Sequence, residues 1–405
     1  MAITSLASIA GALKQVYGQY QIQQNLQHRA MDEIAKSLTK YSPGGQGYYG
    51  AVNLSGNESV GAINELESFR SVDAENYAQF VIKPKINVAP IQFSGLAAAA
   101  AESDEQAFVS VVVDALDMAK ERLLKDENRQ FFGLGTGQLA QMAATTAAAA
   151  TSCSVDTCQY LRANMVLDGY AGGTTLTVAG IRVSDVDKIN NIIYFATSLG
   201  FAMNITTDVW VKQNIRVSAP TDGKEMMGLR GIVDDGTDLQ TFQAVDSNAN
   251  KVWRGRRIAA AGANLTSDLL QQLLDDTMVL GGEEPDTIMA HPKQRRKYLD
   301  LVVPQKRFQD GSLDTGFTEL SFNGKKMILD IDCQVDTIYA LTKKHIQKYE
   351  LEALAMGRQE GSDTFLRQLN ADQFQAYWRH YCNFGSGKRN AHGKLTGLAV
   401  PAGAA

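Results

Sequence analysis

The sequence predicts an α+β protein on three observations. A long, well-started helix stands in the first third. A stretch of period-two apolar residues precedes it. From residue 134 to 316, strands and helices alternate, the pattern of a mixed lobe.

Residues 1–45 read as a separate N-terminal arm. Leu6, Ile9, Leu13, Val16 and Tyr20 fall at steps of three and four, and Met31, Ile34 and Leu38 continue the register beyond the polar Gln24 and Gln27. So narrow a stripe suits a helix laid along a neighbour, or an ordinary amphipathic N-terminal helix. Tyr41-Ser-Pro-Gly-Gly45 ends it.

Residues 46–95 read as a β excursion. On the return strand Phe80, Ile82, Pro84, Ile86 and Val88 alternate with Gln79, Val81, Lys83, Lys85 and Asn87. Pro84 cannot donate to a ladder, which restricts this strand to an edge or a two-stranded ribbon. An isolated ribbon is marginal in water, so its apolar face needs its own body or another subunit.

The helix comes next. Ser103-Asp-Glu-Gln106 has capping-box form, and Phe108, Val112, Leu116, Ala119 and Leu123 share a face. No breaker appears before Gly133, which gives a rod of about 45 Å.

Beyond it, Thr174–Val178 and Ile181–Val183 flank an Ala-Gly turn, and Ser184 with Asp187 opens a helix ending at Gly200. Thr266–Leu280 is a helix closed by Gly281-Gly282, and Asp286–Ala290 is a strand. Pro292 starts a further helix that runs to Val302. Asn323-Gly324 joins Thr318–Phe322 to Lys325–Asp330 as a type I′ hairpin. Strands follow at Thr337–Leu341 and Phe374–Cys382, and the tail from Gly385 is expected to be irregular.

At 405 residues the chain exceeds one core, so two lobes or one lobe with large excursions are expected. A net charge of −5 excludes a histone-like nucleic-acid binder. No secretory signal is visible, and no apolar run reaches the ~18 residues of a membrane helix. Synthesis and folding in a cytoplasm follow, with Cys153, Cys158, Cys333 and Cys382 as free thiols.

No catalytic constellation survives inspection, and no catalytic, cofactor-binding or metal-binding residue is assigned. Gly133-Leu-Gly135-Thr-Gly137 follows a helix where a dinucleotide turn needs a strand before it, so it reads as a helix terminator. Gly385-Ser-Gly387-Lys388 lacks the remaining Walker residues. Cys153 and Cys158 have no second ligand pair at zinc spacing. Asp234-Asp235-Gly-Thr-Asp238 lacks the later glutamate of a calcium loop and reads as a polar turn. The basic run His291–Lys297 spreads over more than one helix face, as a solvated face does. His380 and Cys382 would share a strand face, but only proximity speaks for a nucleophile–base pair, and a packed strand is the favoured reading.

The serial order of arm, ribbon, capped helix, mixed lobe and returning strands resembles the tailed-bacteriophage major capsid family. Ile82–Gly95 resembles the return strand of that family's E-loop, and Ser103–Gly133 its spine helix. Leu269–Leu299, Asn323–Asp330, Thr337–Leu341 and Phe374–Leu398 resemble the A-domain segment and the strands that return to the P-domain. The resemblance implies a long spine helix, an extended β-ribbon E-loop, a mixed α/β A-domain and a P-domain sheet. It divides the chain into an N-terminal arm at 1–45, E-loop at 46–95, spine helix at 96–133, A-domain at 134–322, and returning strands with a C-terminal tail at 323–405.

It also implies a shell subunit, not an enzyme: pentamers and hexamers tiling an icosahedral shell around double-stranded DNA, contacted non-specifically. The partners implied are copies of the chain, scaffolding and portal proteins and a decoration protein, with no membrane. The place implied is the virion, after assembly in the host bacterial cytoplasm. The residues expected at subunit interfaces are Leu13, Val16, Tyr20, Phe80, Ile82, Lys83, Lys85 and Ile86. Two alternatives stay open: an encapsulin-like compartment shell, and a cytoplasmic enzyme with a site around His380 and Cys382.

Overall fold

The computed structural model describes residues 30–38, 47–94, 105–204, 208–216, 223–306, 321–357, 366–367 and 372–400. Leu13, Val16 and Tyr20 and the capping residue Ser103 lie outside them.

The organising element is the helix Glu105–Phe131. Its 27 residues make a rod of about 40 Å. Leu123 is buried, with Leu116 and Ala119 half-buried on the same face. The helix lies on a sheet ordered Lys36–Leu38, Ile346–Met356, Gln373–Ser386, with Lys85–Ser94 antiparallel along the far side of Gln373–Ser386. Trp378 spans the two layers, its indole N–H donating to Leu116 O (2.9 Å). The period of two turns Ala376, His380 and Cys382 into the protein, and Ile86 and Val88 stand exposed on the other face.

A second sheet is mixed. Its order is Arg256–Ala259, Gly393–Thr396, Ile338–Leu341, Thr287–Ala290, Lys325–Leu329, Ser321–Phe322. Both Thr287–Ala290 and Ile338–Leu341 are buried throughout, which explains their unbroken apolar runs. Helix Ser267–Gly281 covers one face with Leu270, Leu273 and Leu274. Its ends are those the sequence announces: the Thr266 hydroxyl accepts from Leu269 N–H, and Gly282 closes it at φ 65°. Helix Pro292–Lys306 also starts at its proline. Asn323 and Gly324 both have positive φ, as a type I′ turn requires.

Between the long helix and the mixed sheet, residues 138–212 build a six-stranded antiparallel sheet with its own core around Leu139, Leu161, Leu167, Val183, Ile193 and Trp210. The helix expected from Ser184 to Gly200 is absent. Strand Thr175–Asp187 runs through that region, turns, and pairs with Ile192–Phe195. The Asp187 carboxylate accepts from Ile189 and Asn190 N–H, which makes it a turn former here and not a helix starter. The expected Ala-Gly hairpin is also absent. Gly180 (φ 65°) kinks one continuous strand, and its N–H donates to Asp168 on the paired strand Val166–Ala171.

Three further expectations change. The N-terminal stripe is not helical through Leu38: helix Ala30–Ile34 stops, and Lys36–Leu38 pairs as a strand with Ile346–Met356. Pro84 does not sit inside one strand: it marks the point where the chain leaves the ribbon and enters the helix-backed sheet. Phe80 and Ile82 are therefore buried while Ile86 and Val88 are exposed, although all four share one alternation in sequence. Residues 385–398 are not irregular: largely buried, they end strand Gln373–Ser386 and then form Gly393–Thr396.

Candidate interaction surface

The ribbon pairs Tyr48–Ser55 with Asn76–Ile82, from Tyr48↔Ile82 at the root to Ser55↔Asn76. At the root it is part of the body. Phe80 and Ile82 join the largest core, the Phe80 ring stacks near Trp253, and Tyr48 meets Tyr349 (ring centroids 4.8 Å). The Val81 N–H donates to Gln243 O (3.0 Å). Gly50 sits under the Phe80 ring, where a Cβ has no room.

The tip is the opposite case. Residues 56–75 have no strand partner, and Val60, Leu66, Phe69 and Val72 are 85, 101, 89 and 79% exposed. With Ile63 they fall at every third position. Covering such a side chain is worth ~1.5–3 kcal/mol, which makes the tip an uncovered apolar surface among the described residues.

The end of the long helix is finished within the chain. Four consecutive polar residues, Glu127, Asn128, Arg129 and Gln130, are buried there. Asn128 donates to Asp330 and Asp332, and Asp330 also accepts from Ala30 N–H at the start of helix Ala30–Ile34. Arg129 pairs with Asp126 and Glu225. Burial pushes the Asp126 carboxyl up, but the Arg129 and Lys212 cations outweigh it and hold it well below the usual range. Gln130 accepts from Met226 N–H and donates to Asn87 and Asp126. The run of six polar residues from Lys125 to Gln130, just before Phe131-Phe132, was the available signal for this hub.

The C-terminal segment is tied in the same way. Arg389 is fully buried and donates to the carbonyls of Gly231, Ile232 and Trp253 and to the Ser247 hydroxyl, with its guanidinium over Phe242. Burial brings it down to about 10. Lys394 reaches Asp234 (2.8 Å) and Asp238 (3.0 Å). The acidic turn therefore holds an internal ammonium. Desolvation opposes the Asp238 charge, but Lys394 and Arg230 hold that carboxyl down to about 2.

Of the expected interface residues, Phe80 and Ile82 lie in the chain's own core. Lys83 is exposed. Lys85 donates to Gly223 O (2.6 Å), and Ile86 is 64% exposed on the open sheet face. Sequence reasoning missed the tip residues because they follow neither helical nor strand period. His380 and Cys382 do share a face, but Cys382 is fully buried and its thiol is pushed up by that burial, which removes the thiolate a nucleophile needs. All four cysteines are free and buried. Gly135 and Gly137 take positive φ in an exit turn that leads into a strand, not a helix. Among the described residues no helix is long and apolar enough to cross a membrane.

No protein-family profile matches the chain, and no curated protein matches its sequence. Solved structures do. The chain is similar to a chain of the cyanophage A-1(L) capsid asymmetric unit at a TM-score of 0.60 and 9% identity, over 98% of this chain and 100% of that one. A chain of Mycobacterium phage Adephagia gives 0.52 at 9% identity over 99% and 100%, and one of Gordonia phage Cozz 0.51 at 11% over 98% and 96%. At such identities what is shared is the fold, and it is shared end to end.

Proposed function

We propose that this chain, which has the fold of a phage capsid chain, is the major capsid protein of a tailed bacteriophage. In this reading its copies form pentamers and hexamers that close an icosahedral shell around double-stranded DNA. The observation that carries the proposal is the ribbon: rooted in the chain's own core, with a tip of large apolar side chains that stand exposed among the described residues.

Residues 46–95 act as the E-loop, whose tip lies on a neighbouring copy. The arm at 1–45 reaches along another. Residues 96–133 are the spine and 134–322 the A-domain directed at the capsomer axis, with 323–405 returning to the P-domain. A stable interface buries about 1,600 Å² in total, and a subunit that meets several neighbours repeats that gain, so a closed shell holds by multivalency. A net charge of −5 limits repulsion between packed copies. DNA is met through its phosphates, without sequence preference. Scaffolding and portal proteins supply size and vertex, and assembly takes place in the host cytoplasm.

The test replaces residues 57–74 with a short Gly-Ser turn and images the full chain, co-expressed with its neighbouring genes, by electron microscopy. Wild type is expected to form closed shells. The replacement is expected to give folded subunits, unchanged in circular dichroism, that form none. Normal shells from the replacement refute the role of the tip, and shells filled with a protein cargo in place of DNA refute the phage assignment.

A further inference from the structure

Shell assembly makes no use of one cluster beneath the long helix. Glu127 on the helix meets His380 and Cys382 on strand Gln373–Ser386, with one donor atom from each all within 4.8 Å of one another. All three are buried, Glu127 and Cys382 completely. His380 Nδ1 lies 2.7 Å from Glu127 Oε1 and 3.5 Å from Cys382 Sγ. The second oxygen, Glu127 Oε2, is buried and has no hydrogen-bond partner. Such an atom carries the full cost of desolvation, ~1–3 kcal/mol or more for a charged group.

The other side of the imidazole is also arranged. His380 Nε2 faces Glu350 Oε1 at 2.9 Å, and Lys348 holds that same oxygen at 2.7 Å. A carboxylate that accepts from the far nitrogen of a histidine is the usual support of a metal-ligating imidazole, because it fixes the tautomer and raises ligand basicity. Met226 Sδ, 3.2 Å from Cys382 Sγ, forms the soft wall of the site.

We propose that Glu127, His380 through Nδ1 and Cys382 bind a zinc-class divalent transition ion that joins the long helix to the sheet. Tetrahedral zinc with its usual bond lengths places nitrogen and sulfur ligands about 3.5 Å apart, and nitrogen and oxygen about 3.3 Å apart. The His380–Cys382 separation already meets the first value. The Glu127 contact is a hydrogen-bond distance and opens by about 0.6 Å on loading. Glu127 binding through both oxygens fills the fourth position and gives Oε2 its partner. A mixed nitrogen, sulfur and oxygen set selects zinc over magnesium or calcium.

The charges balance. Without metal, both ring nitrogens of His380 face carboxylate oxygens, Nδ1 on Glu127 and Nε2 on Glu350, so each carries a proton to donate and an imidazolium sits between them beside the Cys382 thiol. Metal binding displaces the Nδ1 proton of His380 and the thiol proton of Cys382. Two protons leave for each divalent ion, and the site stays neutral. Because every ligand is buried, the ion enters as the chain folds.

The experiment measures metal in the purified full chain by mass spectrometry, whatever its oligomeric state. Zinc at one equivalent is expected. Refolding with Co²⁺ is expected to give a thiolate-to-cobalt charge-transfer band, which Cys382→Ser loses and Cys153→Ser keeps. Glu350→Gln is expected to weaken zinc binding roughly 10–100-fold. X-ray absorption of the zinc-loaded wild type reads the same ligand set without any variant: one sulfur among nitrogen and oxygen donors. Metal-free protein that takes up no cobalt on refolding overturns the proposal, as does a shell without sulfur or a band that survives Cys382→Ser.

Discussion

Phe80 and Phe69 stand on one ribbon, eleven positions apart, with opposite surroundings. Phe80 at the root is 6% exposed, packed near Trp253 and Tyr48; Phe69 at the tip is 89% exposed. The root is completed by the chain itself, and the tip is left for something else to complete. The end of the long helix sharpens the contrast. Among the described residues, it buries polar side chains and pairs all but one oxygen of Glu127, while the tip leaves apolar residues exposed. At these two places polarity does not separate inside from outside. What separates them is whether the chain holds the complementary surface.

The largest expected effect lies at the root. Phe80→Ala removes a buried aromatic ring and is expected to cost about 3–5 kcal/mol. Urea unfolding of the isolated subunit measures it. A loss below 1 kcal/mol would mean that the ribbon does not depend on the body and would break the comparison.

An intermediate effect belongs to the buried charges. Asp238 titrates at about 2 when folded, below its ordinary 3.8. Its stabilisation is therefore present above pH 3.8 and lost as pH falls through about 2. At neutral pH it amounts to about 2 kcal/mol. Melting temperatures from pH 7 to 2 should fall more steeply for wild type than for Asp238→Asn at the acidic end. Parallel curves would remove the Lys394 pairing as the cause.

The smallest effect on folding is expected at the tip. Leu66→Asn with Phe69→Ser should change stability by no more than about 0.5 kcal/mol, since neither side chain is packed and asparagine tolerates the positive φ at position 66. Sedimentation of the same variant should show reduced self-association. A large loss of stability would show that the tip already has an internal partner.

Much of the local structure was legible in the sequence. Helix Ser267–Gly281 begins at Thr266 and ends at Gly282, as its residues announce. Asn323-Gly324 makes its turn, and Gly135 and Gly137 take positive φ in the turn that follows the long helix. The errors have physical causes. Ser184 and Asp187 carry the same chemistry at a helix start and in a turn, and only strand pairing with Ile192–Phe195 decides between them. Strand Ile346–Met356 alternates weakly and was overlooked, although it is central to the helix-backed sheet. Of the candidate surface, the sequence disclosed a ribbon whose apolar face needs either its own body or another surface. It did not disclose that the body covers the root and leaves the tip exposed.

By itself, then, the sequence determined the caps, turns, glycine positions and the order of elements, because those depend on interactions within a few residues. The tertiary structure alone decided which apolar residues are covered. Phe80, Ile82, Ile86 and Val88 read as one face, and a break at Pro84 sends the first two into the core and the others outward. It also brought Glu127 to His380 across 253 positions of chain. Contacts of that separation depend on how whole layers stack, and no local pattern encodes them.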